Sequence, residues 1–524
     1  MLIAAPVPVL AENGQRDLSA YLRARAADAD GNVAAAADGY AAALRAAPND
    51  AVIAVRAYRV AIAAGDFALL NHARGVLERA DLAPADASLL ALAEAVRAND
   101  PAATQLAINR VKAGALGFLA PSFQAWAALD DPKTAKAALD MAGGNAIARR
   151  YAQETRALLL IATGKPADGA ALVQVLSGGD RSSVDLRITA AQLLAHAGQQ
   201  EAARALLPNN DPTMAAVRDN LGQGRAASTA LGVAFVLTRL ASDLNDGQAS
   251  RLLIVMARAA LRVDPANDRA RLLLVAALAR EDNPQHALVS LVDIAPTSPY
   301  YPGAQALRIA LLDKAGNTAA ALASAAALAD RPDSTVGDIR RHADLLLQDS
   351  QVEAAASAYQ RALDRDQAGA DWVLYLQLGS ALDRAGHWPK AKAALEQAVS
   401  LAPDEPVALN YLGYGLLEHG GDKRVARQLL EHASMLRPQD FSILDSLAWA
   451  YFLQGESTRA LPLLEAAAKG EPANSTIGDH LGDAYWQAGR RYEARYAWQA
   501  AALLAEGGDA DRIAAKIANG PATR

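Results

Sequence analysis

The chain has no cysteine. That excludes disulfides, thiolate metal sites, a cysteine nucleophile and lipid attachment through sulfur. Aromatic residues are scarce, 5% of 524, although hydrophobic residues reach 52%. The surplus is mostly alanine, the best helix former. A core of alanine and leucine fills space only where backbones approach closely, as packed helices do. Long apolar runs are missing too: none reaches the roughly 18 residues that a membrane-spanning helix needs. The longest, near Leu272 to Ala279, reads as one buried helix. Charge of one sign is also lacking. Lys+Arg number 51 against Asp+Glu 57, a net charge of -6, mixed along the chain. Without a basic stripe, nucleic acid is not an expected partner.

The usual signatures of chemistry are absent as well. The histidines, His72, His196, His286, His342, His387, His419, His432 and His480, do not pair at metal-ligand spacing, and no HExxH occurs. "GKPADG" at Gly164 lacks the hydroxyl of a phosphate loop. "LGQGRAAS" around Gly222 and Gly224 follows no strand, as a dinucleotide cradle would require. No G-x-S-x-G elbow is present. The expectation is a non-catalytic protein with no catalytic residues, no cofactor and no metal.

What the chain does have is a repeat. From Trp372 the pattern places Leu378, Gly379, Leu382, Gly386, Ala391, Leu395, Ala398 and Pro403. It returns as Leu412, Gly413, Leu416, Gly420, Leu430, Ala433 and Pro438, with one extra residue in the turn "HGGDK". It returns again as Leu447, Ala448, Tyr451, Gly455, Ala460, Leu464, Ala467 and Pro472, and last as Leu481, Gly482, Tyr485, Gly489, Ala494, Trp498 and Ala501. The period is about 34 residues. Each copy opens after a helix N-cap such as Asp371, Asp440 or Asn474. A small residue in the first helix lets the second cross at close range, a glycine caps the turn, and a late proline ends the unit.

Over Trp372 to Leu504 these residues resemble the tetratricopeptide repeat (TPR) signature. The fold expected is therefore all-α, a TPR-type α-solenoid of antiparallel helix pairs. The pattern continues upstream in weaker form, as in "LLIVMARAALRVDPAND" and "AAAADGYAAALRAAPND". The polar stretch "LPNNDPTMAAVRDNLGQGRAAST", from Leu207, interrupts it. The expected organisation is residues 1–11 as a signal-peptide remnant or an ordinary frayed end, 12–210 as a degenerate array and 211–230 as a joint. Residues 231–505 form the TPR array, clearest over 372–505, and 506–524 a capping helix and tail.

The resemblance also implies a groove. In TPR proteins the second, fifth, ninth and twelfth places of the repeat face it. Here those places include Asn410, Tyr414, Asp445, Trp449, Phe452, Asp479, Asp483 and Trp486, an aromatic and acidic set expected to bind a protein or peptide partner. The alternative is that these rings pack between neighbouring helices. "ALNYLGYGLLEHG", "ILDSLAWAYFLQGESTRALPLLEAA" and "DHLGDAYWQAGRRYEARYAWQAA" further resemble the ending of bacterial cell-envelope TPR proteins. One branch of those is a lipoprotein adaptor of a carboxyl-terminal processing protease, but this chain lacks the lipidated cysteine. The resemblance implies an adaptor or scaffold in the periplasm, with an envelope protease or its substrates among the partners. The alternative is a structural subunit of an envelope assembly.

Overall fold

The computed structural model describes residues 10–143, 145–178, 184–209, 211–245, 250–281, 284–366 and 369–521. Every regular element among them is helical, and no strand occurs there. The helices come in antiparallel pairs and divide into two compact units, Met1–Asn317 and Thr318–Arg524.

The first unit runs α1 (Leu10–Ala29), α2 (Val33–Ala46), α3 (Ala51–Ala64), α4 (Phe67–Arg79), α5 (Ala87–Arg97), α6 (Pro101–Ala113), α7 (Ala120–Ala127), α8 (Pro132–Asp140), α9 (Ala146–Ala162), α10 (Pro166–Leu176), α11 (Val184–His196), α12 (Gln200–Ala205), α13 (Pro212–Asp219), α14 (Thr229–Leu244), α15 (Ser250–Val263), α16 (Asp268–Arg280), α17 (Pro284–Leu291) and α18 (Tyr301–Lys314). The odd-numbered helices α3 to α11 share a face, and α14 and α15 lie on it. α14 contacts α5, α7, α9 and α11, while α15 contacts α3 and α5.

The sequence of α14 explains this placement. "TALGVAFVLTRLASDL" is apolar on nearly all sides, so the helix needs partners all round. Gly232 lets it approach α7: a Cβ there would fall 1.8 Å from the Trp126 ring. Arg239, 1% exposed, is held between Glu154 of α9 and Asp243. Burial pushes the Glu154 carboxyl upward against the opposing pull of Arg239 and Arg150. On α15, Arg262 reaches Glu94 of α5 at 2.7 Å, and Arg258 donates to the last carbonyls of α3, Ile62 at 3.3 Å and Ala63 at 2.9 Å. A cation at a helix C-terminus satisfies orphan carbonyls and opposes the helix dipole. One hydrophobic core accordingly runs from Ala24 to Leu311.

The joint expected at 211–230 falls inside this unit, and the division between units lies at Asn317/Thr318 instead. The polar stretch carries the chain from α13 back to the shared face. Its Gly224, at φ 66, turns where a Cβ would sit 2.0 Å from the Gln192 carbonyl of α11. It is a tight turn against a helix, not a phosphate cradle. Of the expected remnant 1–11, residues 1–9 lie outside the described residues.

The second unit is α19 (Thr318–Ala329), α20 (Val336–Gln348), α21 (Val352–Arg365), α22 (Trp372–Arg384), α23 (Trp388–Leu401), α24 (Pro406–Glu418), α25 (Lys423–Leu436), α26 (Phe441–Leu453), α27 (Ser457–Gly470), α28 (Ser475–Gln487), α29 (Arg491–Ala502) and α30 (Gly507–Asn519). Here the main contacts are between a helix and the next one or two in sequence. The first helices start on the caps Asp371, Glu405, Asp440 and Asn474, each accepting a backbone N–H of its own first turn. The small residues sit where two helices cross: a Cβ at Gly379 would meet Leu395 at 2.7 Å, at Gly413 Leu430 at 2.8 Å, and at Gly482 the Trp498 ring at 2.3 Å. Trp498 fills the space left there and is fully buried.

Candidate functional site

The residues expected to line a groove lie on α24, α26 and α28, whose exposed neighbours are few. Asp445 and Trp449 are both under 5% exposed. The Trp449 ring is stacked between Phe452, with centroids 4.9 Å apart, and His480, at 3.9 Å. Its indole N–H donates to Glu418 at 3.0 Å. His480 in turn places Nδ1 2.9 Å from Asp445, and its ring tilts against Tyr414 at 6.2 Å. Tyr414 and Phe452 are half-buried. Burial, and then the charges of Glu418 and Asp445, push the Tyr414 hydroxyl well above the ordinary phenol value. Asn410 is half-buried, and its buried side-chain oxygen has no hydrogen-bond partner among the described residues.

At the far end the acids are occupied by the chain itself. Asp479 receives Arg512 at 2.5 Å and Lys516 at 2.7 Å, and Asp483 receives Lys516 at 2.8 Å, all from α30. The Trp498 indole N–H also donates to Asp483, at 3.2 Å. Trp486 stands apart from Tyr414 and Trp449. It packs on Trp498 with centroids 5.4 Å apart, takes the Arg491 guanidinium over its ring at 3.7 Å, and closes against Gly520. The structure thus gathers Tyr414, Trp449 and Phe452 around His480 and puts Trp486 under the terminal helix. The three tryptophan and tyrosine positions do not make one continuous stripe.

These contacts follow a rule that sequence reading missed. An acid on each first helix takes a donor from the next: Asp344 from Gln377 at 2.9 Å, Asp383 from His419 at 2.7 Å, Glu418 from Trp449, Asp445 from His480, and Asp479 from Arg512 and Lys516. The partners lie 31 to 37 residues apart, one repeat each time. That separation was the available signal, since it joins an acid on each first helix to a hydrogen-bond donor one period later. Chemically, the arrangement couples repeats. The His480–Asp445 pair has its ring face covered by Trp449 and acts as packing. No cluster of metal-ligating side chains occurs among the described residues.

No family model matches the chain. The TPR repeat-containing protein PA4667 of Pseudomonas aeruginosa is 29% identical over 198 residues, 38% of this chain and 33% of that protein. The chain is an all-helical array of antiparallel helix pairs, TPR-like in fold. It spans about a third of the length of the TPR relative it matches. Among solved structures, MamA from Desulfovibrio magneticus RS-1 is 19% identical over 32% of this chain and 94% of its own, with TM-score 0.28. Pseudomonas aeruginosa PilF is 16% identical over 35% and 82%, with TM-score 0.30.

Proposed function

We propose that this TPR chain is a non-catalytic scaffold that binds a partner protein through the first-helix face of its second unit. TPR arrays generally serve protein–protein interaction. The observation that carries the reading is the patch of Asn410, Tyr414 and Phe452. It presents partly exposed aromatic surface on Tyr414 and Phe452, and aromatic anchors of this kind suit a peptide with apolar side chains. The mode of α30 supports the same chemistry. Its Arg512 and Lys516 engage Asp479 and Asp483, while Ile513 and Ile517 join Trp486 and Trp498 in one apolar cluster. A partner helix with apolar anchors and some positive charge is the expected ligand.

We place the protein in the bacterial periplasm, on the resemblance of its last quarter to envelope TPR proteins, as adaptor of an envelope protease or its substrates. Crosslinking capture from cells followed by mass spectrometry tests the binding claim. Tyr414→Asp should abolish capture of the partner while the melting transition persists. Equal capture by this variant would move the interaction to another surface. Fractionation of the protein expressed from its full reading frame tests the location, and recovery only in the cytosol would refute it.

A further inference from the structure

Two polar stretches of the first unit converge on a space that the scaffold reading leaves unused. "LGQGRAAS" turns at Gly224, and the Arg225 N–H then donates to the Gln192 carbonyl of α11 at 3.0 Å. "VDPAND" ends α15 and caps α16, where the Asn267 side chain accepts the Ala270 N–H. Between these stretches lies a cavity of about 150 Å³. Its walls come from α11, α13, α14, the start of α16 and residues 298–300, just ahead of α18. A space of this size holds a molecule of about six to ten non-hydrogen atoms, too small for a peptide or a helix.

Part of the wall is apolar, built from the buried side chains of Ile188, Val217, Leu231 and Phe235. The rest carries charge of both signs. Asp185, Asp264 and Asp268 line it together with Arg225 and Arg269. Asp264 meets a terminal nitrogen of Arg225 at 2.9 Å. Asp185 accepts from Arg269 Nε at 3.0 Å and from the Ser242 hydroxyl at 2.6 Å, and Asp268 accepts from the Ser298 hydroxyl at 2.6 Å. These bonds use only part of the hydrogen-bonding capacity, since a guanidinium has five N–H groups and a carboxylate about four lone-pair sites. The Gln192 side-chain amide and the Tyr300 hydroxyl also line the cavity, and neither makes a hydrogen bond among the described residues. Burial, and next the Asp185 charge, push the Tyr300 hydroxyl well above the ordinary phenol value, so it stays a donor. Polar groups enclosed in this way call for a partner.

We propose that this cavity binds a free α-amino acid with a small aliphatic side chain. The side chain lies on Ile188, Val217, Leu231 and Phe235, the carboxylate is turned to the guanidiniums and the Tyr300 hydroxyl, and the ammonium is turned to the carboxylates. The balance of signs selects this class. A simple anion would face Asp185, Asp264 and Asp268, and a simple cation would face Arg225 and Arg269, whereas a zwitterion meets both sets without adding net charge. The site lies in the first unit and does not depend on partner binding by the second.

The probe is L-valine, titrated into the full chain by isothermal calorimetry. Saturable heat is expected, together with a melting temperature of the first unit that rises with valine concentration. Isovalerate, which lacks the ammonium, and isobutylamine, which lacks the carboxylate, should bind far more weakly. Tyr300→Phe keeps the ring and removes a hydroxyl that bonds nothing else in the described chain. It should leave the melt without ligand unchanged and weaken valine binding about tenfold. Arg225→Gln should weaken valine binding as well, but it also leaves the buried Asp264 without its cation, so the tyrosine variant carries the decision. Absence of saturable binding by valine would overturn the assignment. Binding of isovalerate or isobutylamine as tight as that of valine would overturn it too, and so would undiminished affinity in Tyr300→Phe.

Discussion

The two units use paired helices in opposite ways. In the second, each first helix is tied to the next by an acid and a donor one repeat apart, so cohesion passes between neighbours. In the first, α14 and α15 return across α3 to α11 and bind helices far away in sequence, as in the contacts Arg239–Glu154 and Arg262–Glu94. A neighbour-coupled array should open in steps from its ends, whereas a unit closed by a returning hairpin should open as one. The difference also explains why repeat signatures are crisp in one unit and blurred in the other. Where the first-helix face meets mainly the next repeat, the same residue types recur. Where it meets α14, each position must fit a different neighbour: Trp126 meets Gly232, Glu154 meets Arg239.

The largest effect expected is from truncating the deepest aromatic of each unit. Trp126→Ala and Trp498→Ala each remove a fully buried ring, and large-to-small changes of this kind cost about 3–5 kcal/mol. Trp126→Ala should lower the melting of the whole first unit. Trp498→Ala should release α28 to α30 and leave α20 to α25 folded, as limited proteolysis with mass spectrometry would reveal. Global unfolding of the second unit by Trp498→Ala would break the comparison.

A smaller effect is expected at the last rung of the acid ladder. Asp479→Asn keeps the shape but removes the charge that holds Arg512 and Lys516. Hydrogen bonds to charged groups contribute about 1.5–3 kcal/mol, and the exposure of Arg512 argues for the lower end. Protease sensitivity at α30 should rise while the melting of the first unit stays unchanged. A substitution without effect on α30 would remove the rung from the account.

The smallest effect is one of pH. Burial, and next the Arg258 charge, hold the His286 imidazole in the first unit below its ordinary value of 6.5, and burial does the same to His342 in the second. The unfolded chain then binds protons that the folded chain refuses. Stability should fall as pH drops below about 6.5 and level off below the depressed folded values. His286→Asn should flatten that dependence in the first unit only, read from melting curves between neutral and mildly acidic pH. An unchanged slope would place the pH response elsewhere.

Local features were legible in the sequence. The caps Asp371, Asp440 and Asn474, the turn glycines and the crossing positions Gly379, Gly413 and Gly482 act within one helix pair, so pattern alone locates them. The acids Asp445, Asp479 and Asp483 were visible, but their donors were not. A side chain on a first helix can face a groove or the next first helix, and which it does depends on what stands one period later. The capping helix was expected, but the basic pair Arg512 and Lys516 that it contributes was not. The return of α14 and α15 was illegible because it joins segments about 80 to 170 residues apart, as in Arg239–Glu154 and Arg262–Glu94, with no periodic trace.

Native-state hydrogen exchange, followed by mass spectrometry across a denaturant series, tests the central contrast most directly. The account predicts that α3, α5, α7, α9, α14 and α15 share one opening free energy, while protection in the second unit falls stepwise toward α30. Exchange of α14 and α15 well ahead of α3 to α9 would contradict it, because the returning hairpin would then be an attachment to the first unit and not its core.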